Sequence, residues 1–199
     1  MIIVEGPDGA GKTTLIKQLQ AEFNIEVAPR VVTKNAEAMV DLKAWVEKNL
    51  TDGFQYQIFD RHRLISEFIY GPLLRKEQEP GFSDLTWAYM SLNRLYNEVS
   101  PVIIYCLPPL ETVRANIMAD HENAVVANHV DAMYTAYVHR AALDWVNNPG
   151  RVIVWDYTRD DLVERMSISD LPGISPNQIE SNILNPFRPL FNYAQSRTQ

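Results

Sequence analysis

The most explicit chemistry in the 199-residue chain lies in Gly6-Pro7-Asp8-Gly9-Ala10-Gly11-Lys12-Thr13. This is a GxxxxGK[ST] pattern between the apolar run Met1-Ile2-Ile3-Val4 and the helix-forming run Thr14-Leu15-Ile16-Lys17-Gln18-Leu19. A strand before it and a helix after it is the context in which the pattern binds phosphate. Glycines let backbone N–H groups turn inward around an anion, and the following helix N-terminus adds partial positive charge. Gly6, Asp8, Gly9, Ala10, Gly11, Lys12, Thr13 and Thr14 are the expected nucleotide-binding residues. Lys12 would bridge the β- and γ-phosphates of a bound nucleotide, and the Thr13 hydroxyl would be offered to Mg²⁺.

A second pair, Asp60-Arg61, ends the strand-like run Tyr56-Gln57-Ile58-Phe59. A carboxylate there can hold Mg²⁺ or accept a proton from a substrate hydroxyl. The adjacent guanidinium can grip a phosphate through two parallel hydrogen bonds. A third feature, Pro108-Pro109, stops the apolar run 102–107.

These features need elements to position them. Strands are expected at 1–5, 25–32, 56–59, 101–107 and 152–155. Helices are expected at 12–23, 35–50, 63–71, 84–99, 110–118, 125–147 and 159–166, the third closing at Gly71-Pro72 before a loop over 73–82. Strands alternating with helices predict an α/β fold, a three-layer arrangement of five parallel strands with helices on both faces. Ligands gather at the carboxyl ends of such strands, where the three features converge.

Composition narrows the partners. A net charge of −7 argues against a broad basic surface for nucleic acid. The single cysteine, Cys106, excludes an internal disulfide and lies in an apolar run. No apolar run approaches a membrane span, and a cytoplasmic protein is expected. The stretch beyond Asp170 carries Pro172, Pro176, Pro186 and Pro189 but also Ile179, Ile183, Phe187, Leu190 and Phe191. Residues 1–168 therefore read as one domain and 169–199 as a Pro-rich extension that docks on the body or on a partner subunit.

The run Val4-Glu5-Gly6-Pro7-Asp8-Gly9-Ala10-Gly11-Lys12-Thr13-Thr14 resembles the start of a thymidylate kinase. Asp60-Arg61-His62 with Ser66 and Tyr70 on the next helix, and Tyr105-Cys106-Leu107-Pro108-Pro109 with Arg114 beyond, are similar to the same family. Ser66 to Pro72 is similar to bacteriophage-type members. The resemblance implies the P-loop kinase fold, ATP and Mg²⁺ as cofactors, and a homodimer. It implies that Asp8 faces the acceptor, that Arg61 holds the acceptor phosphate, and that Tyr70 lies against the deoxyribose beside Ser66. Thr13 and Asp60 would serve the metal, and Lys12, Asp60, Arg61 and Arg114 catalysis.

One departure stands out. The family supplies a transition-state arginine either at the loop position held here by Gly9 or from a basic lid, yet residues 115–139 contain no Lys or Arg. Such an arginine contributes several orders of magnitude in rate. Arg114 is the first replacement, with Arg140, Arg63, Arg75 or a partner's arginine as others, and a slow reaction as the remaining alternative; His121 and His129 are poor replacements, being mostly neutral at pH 7. For the acceptor base the candidates are Trp45, Trp87, Tyr89 and Arg94, and Asp156-Tyr157-Thr158 lies where adenine often rests in this fold. The expected activity is ATP-dependent phosphoryl transfer to a deoxynucleoside monophosphate, dTMP or a modified pyrimidine. Alternatives are a kinase for a nucleoside 5′-hydroxyl or for a hydroxymethylated base in DNA, and a nucleotide-dependent switch or ATPase.

Overall fold

The computed structural model describes residues 1–29, 38–51, 57–74, 82–119, 124–148 and 150–159. Five strands, β1 (Ile2–Glu5), β2 (Glu26–Val27), β3 (Gln57–Asp60), β4 (Val102–Cys106) and β5 (Val152–Trp155), form one sheet. Its order is β2-β3-β1-β4-β5, and every pairing is parallel. The P-loop strand β1 is central, with Val4 opposite Asp60 of β3 on one side and Ile104 of β4 on the other.

Strand alternation divides the core between the two faces of the sheet. Ile2, Val4, Ile58, Ile104, Cys106, Ile153 and Trp155 point to one face. They meet Leu15, Ile16 and Leu19 of α1 (Lys12–Phe23) and Val113 and Ile117 of α5 (Leu110–Ala119). Ile3, Phe59, Ile103, Tyr105 and Val152 point to the other face. There they meet Leu42 and Val46 of α2 (Ala38–Thr51), Leu64, Ile65 and Ile69 of α3 (Arg63–Leu74), and Leu92 of α4 (Phe82–Arg94). The long helix α6 (Ala124–Asn147) serves both: Val126, Val130 and Met133 pack with the first cluster, Tyr137, Val138 and Ala141 with the second. Each fully buried aliphatic contributes about 1.5–3 kcal/mol, so both faces are needed to hold the strand ends in register.

Several boundaries differ from expectation. Helix α3 runs through Gly71-Pro72 to Leu74. Pro72 removes a single helical hydrogen bond, while Leu73 and Leu74 pack against the core and carry the helix one turn further. Thus 73, 74 and 82 are helical rather than loop. Past Arg94 the chain widens into a π-helical turn, Leu95–Val99, closed by Ser100 N–H on Leu95 O at 3.1 Å. Leu85, at helical spacing from the buried Ala88 and Leu92, is 49% exposed. Strand β2 is shorter than its apolar run: Ala28 N–H still reaches Ile58 O at 2.8 Å, and Pro29 then has no N–H to offer. The expected helix at 159–166 beyond Arg159, the extension 169–199, His121 and Arg75 lie outside the described residues.

A buried polar cluster ties α6 to the sheet. Asp144 is fully buried and accepts from Tyr96 Oη at 2.7 Å, from Tyr105 Oη, and from Arg140 through Nε at 3.0 Å and Nη2 at 2.5 Å. Arg140 Nη2 also donates to Tyr96 Oη at 2.9 Å. Removing one member of a satisfied buried charge cluster leaves the other charge uncompensated. Asp144→Ala is expected to cost about 3–5 kcal/mol of unfolding free energy in urea titration.

Candidate active site

The loop between β1 and α1 is shaped by close contact with its surroundings. Gly11 takes a left-handed φ of 84° as the residue before α1, and a Cβ there would sit 2.9 Å from the Tyr157 ring. Gly9, at φ 73°, lies under α5: a Cβ would be 3.0 Å from both Ile117 Cγ1 and Val113 O. An arginine at this loop position would have to displace α5, which accounts physically for the glycine. Asn116 of α5 fastens the loop from above, its amide donating to Gly9 O at 2.7 Å and to Tyr157 Oη at 2.7 Å. Thr13 and Thr14 are exposed at the first turn of α1.

Lys12 is buried and donates from Nζ to Pro7 O at 2.5 Å. Burial, seconded by the Arg61 charge, lowers its pKa to about 8 despite nearby Asp8 and Asp60. An ammonium held this way is strongly attracted to anionic oxygens, since a negative charge offsets its desolvation.

Asp60 ends β3, and the chain turns at once into Arg61, whose φ of 67° is left-handed. Non-glycine residues seldom adopt this region, and holding one there costs on the order of 1–3 kcal/mol. The turn directs the guanidinium to the P-loop: Arg61 Nη2 donates to Asp8 Oδ1 at 2.5 Å and to Tyr70 Oη at 2.6 Å. Tyr70 Oη in turn donates to Asp8 Oδ2 at 3.2 Å, and the guanidinium carbon lies 4.6 Å from the Tyr70 ring centroid. Burial pushes the Asp8 carboxyl up, but the Arg61 and Lys12 charges and the bonds from Arg61 and Tyr70 outweigh it and hold it below the usual range. Burial also works against the Arg61 charge, yet Tyr70, Tyr137 and Asp8 keep it protonated.

Glu5, the last residue of β1, is fully buried. Its Oε1 accepts the His62 N–H at 2.6 Å and its Oε2 accepts Tyr137 Oη at 3.2 Å. Burial raises its pKa to about 7, against the lowering effect of the His62 N–H, Arg61, Tyr137 and Lys12. The His62 ring is buried between Trp45 and Phe59, at centroid distances of 5.1 and 5.5 Å, and burial lowers its pKa to about 3.

The structure thus brings Asp8, Arg61 and Tyr70 into one hydrogen-bonded group beside Lys12. Ser66 is buried and spends its hydroxyl on the carbonyl of His62, the residue before its helix, at 3.3 Å. Arg114 is half exposed and forked onto Asp131 of α6, Nε to Oδ1 at 2.9 Å and Nη2 to Oδ2 at 2.6 Å. Arg140 belongs to the Asp144 cluster, and the Arg63 guanidinium lies 5.8 Å from the Trp45 ring. Trp87 faces Lys43 at 5.6 Å, Arg94 pairs with Glu98 at 3.1 Å, Tyr89 is exposed, and His129 bonds Val125 O at 2.8 Å within α6. Among the described residues no group of three or more His, Cys, Asp or Glu could cage a metal ion. The Thr13 hydroxyl is exposed at the first turn of α1, and Asp60 ends β3 opposite Val4 of the P-loop strand.

No role is assigned from the sequence to Glu5, Asn116 or Tyr137. Glu5 had one visible signal, a carboxylate closing an otherwise apolar central strand. Asn116 had none, because its partners are 107 and 41 positions away.

No protein-family model matches the sequence, and no curated protein matches it. Solved structures do. YorR protein from Bacillus subtilis, in complex with phosphorylated GDP, aligns over 83% of this chain and 92% of its own, at 14% identity and a TM-score of 0.57. Deoxyadenosine kinase from M. mycoides with products dCMP and dCDP aligns over 83% and 96%, at 16% identity and a TM-score of 0.54. The same enzyme with dCTP aligns over 84% and 97%, at 17% and 0.51. At these identities the likeness is one of fold: the chain shares the P-loop kinase architecture of these proteins, five parallel strands with helices on both faces.

Proposed function

We propose that this protein is a kinase that transfers the γ-phosphoryl group of ATP to a deoxynucleoside monophosphate, with dTMP or a modified pyrimidine as the first candidate. The observation that carries the reading is Arg61, a second cation aimed at the phosphate loop from a neighbouring strand. A switch or simple ATPase has no use for a clamp on a second anionic substrate. The P-loop would take the donor phosphates, with Lys12 spanning the β- and γ-positions and Thr13 and Asp60 holding Mg²⁺. The metal would offset charge on the transferring group. Arg61 would meet the acceptor phosphate by exchanging its bond to Asp8, and Asp8 and Tyr70 would then face the acceptor sugar.

Arg114 remains the proposed transition-state cation. It follows Val113, whose carbonyl lies 3.0 Å from where a Cβ at Gly9 would sit. Its partner Asp131 is 62% exposed, and a solvent-screened pair of this kind is readily exchanged for phosphate oxygens.

A second reading rests on Asp8. Its carboxylate, held ionised beside Arg61, neutralises that cation and could accept a proton from a hydroxyl. This favours an uncharged acceptor, a nucleoside 5′-hydroxyl. Incubation with Mg²⁺, ATP and a panel of nucleosides and monophosphates separates the two readings. Diphosphate products support the first, monophosphate products the second, and ATP hydrolysis with no phosphorylated acceptor refutes both.

Lys12→Ala is expected to abolish transfer without unfolding the chain. Buried Lys12 releases its proton near pH 8 when folded and near 10.4 when unfolded, so the unfolded state binds more protons between these values. The cost of the charge is fully present at pH 7 and relieved as pH rises through that window. Thermal melts should therefore place the variant no lower than wild type at pH 7, with the wild type gaining on it from about pH 8 to 10. Arg114→Ala should lower kcat by about 10²–10³-fold, the usual loss of one transition-state donor. Asp131→Ala, which frees the same guanidinium, should not lower it.

A further inference from the structure

We propose that Glu5 is the positioning residue of the acceptor cation: its side chain holds the Arg61–His62 backbone in the left-handed turn that aims Arg61 at Asp8 and Tyr70. The inference rests on the reading of Arg61 as the acceptor clamp.

A left-handed non-glycine residue persists only where its surroundings determine it from several sides. Here two successive N–H groups are taken by two successive residues of β1. Arg61 N–H donates to Val4 O at 2.9 Å, continuing the ladder between β1 and β3. His62 N–H donates to Glu5 Oε1 at 2.6 Å. Beyond Glu5, β1 leaves the sheet at Gly6, so the acceptor for the second N–H comes from a side chain. The other Glu5 oxygen is fixed by Tyr137 of α6 at 3.2 Å, and the Tyr137 ring lies 6.2 Å from that of Tyr70. One carboxylate thus joins the end of β1, the turn after β3, and the helix that backs Tyr70.

Glu5 does not act on substrate itself, being fully buried with both oxygens engaged. A buried carboxylate is costly, and an apolar residue would fill the same place at less expense. What the apolar residue lacks is an acceptor at that reach. Glutamine keeps the reach and loses the charge; aspartate keeps the charge and loses the reach.

The test compares Glu5→Gln and Glu5→Asp in the full-length chain, with Arg61→Ala and the Glu5→Asp/Arg61→Ala double variant. Glu5→Asp should raise the acceptor KM about tenfold, the scale of one charge-assisted hydrogen bond, with the KM for ATP unchanged. Glu5→Gln should raise it less, and Glu5→Asp should add nothing in the Arg61→Ala background. The reverse order, with Asp milder than Gln, would overturn the proposal in favour of a role for charge. Parallel rises in both KM values, or additive effects of the two sites, would overturn it as well. Amide hydrogen exchange over residues 60–63 gives a readout independent of turnover, usable even where a variant has no activity. Faster exchange at His62 in Glu5→Asp but not in Glu5→Gln supports the pin, and unchanged exchange in both refutes it. Absence of product with every acceptor would sink the kinase reading while leaving this arm to decide the role of Glu5.

Discussion

The site depends on one backbone constraint, the left-handed turn at Arg61. Strand β3 must end beside β1 for Arg61 N–H to reach Val4 O, and that neighbourhood is set by the parallel pairing of Ile2, Ile3 and Val4 with Ile58, Phe59 and Asp60. The pairing is in turn secured by apolar burial on both faces of the sheet. With the turn in place, a guanidinium that would otherwise extend into solvent lies against the P-loop aspartate. Remove the register and Asp8, Arg61 and Tyr70 no longer meet.

The local electrostatics run against stability. A carboxylate raised to about 7 and an ammonium lowered to about 8 are both held away from water. The protein keeps these charged groups where burial penalises them, which is common where binding or catalysis sets the requirement rather than stability. The Asp144 cluster is the contrasting case. It is equally buried, yet each charge meets its counterpart and each tyrosine hydroxyl a partner, and its place is between α6 and the sheet rather than at the loop.

Much of this was legible in the residues. The P-loop pattern, the strand-helix alternation and the ending of β3 in Asp60-Arg61 are local signals, and the parallel five-stranded sheet follows from them. What could not be read depends on distant contacts. Leu85 fits a helical stripe, but which face of α4 is covered is decided by other elements. Arg114 stands one position from Val113 of α5, yet its orientation is set by Asp131, 17 positions on. Ser66 has a hydroxyl at a suggestive spacing, but His62, just before its helix, takes that hydroxyl. Asn116 and Glu5 carry no local mark of their partners, and only tertiary packing shows what they hold.

Helix α6 has a consequence for how the molecule comes apart. Its first half is embedded in the core on one side of the sheet and its second half in the core on the other, with Tyr137 near the crossing. Regions of a protein open separately only where few contacts bind them to the rest. A continuous rod anchored in both layers denies the chain that freedom, because releasing either half strips apolar cover from the layer it leaves. Fluctuations that loosen one layer are therefore shared with the other, and the two behave as a single mechanical unit.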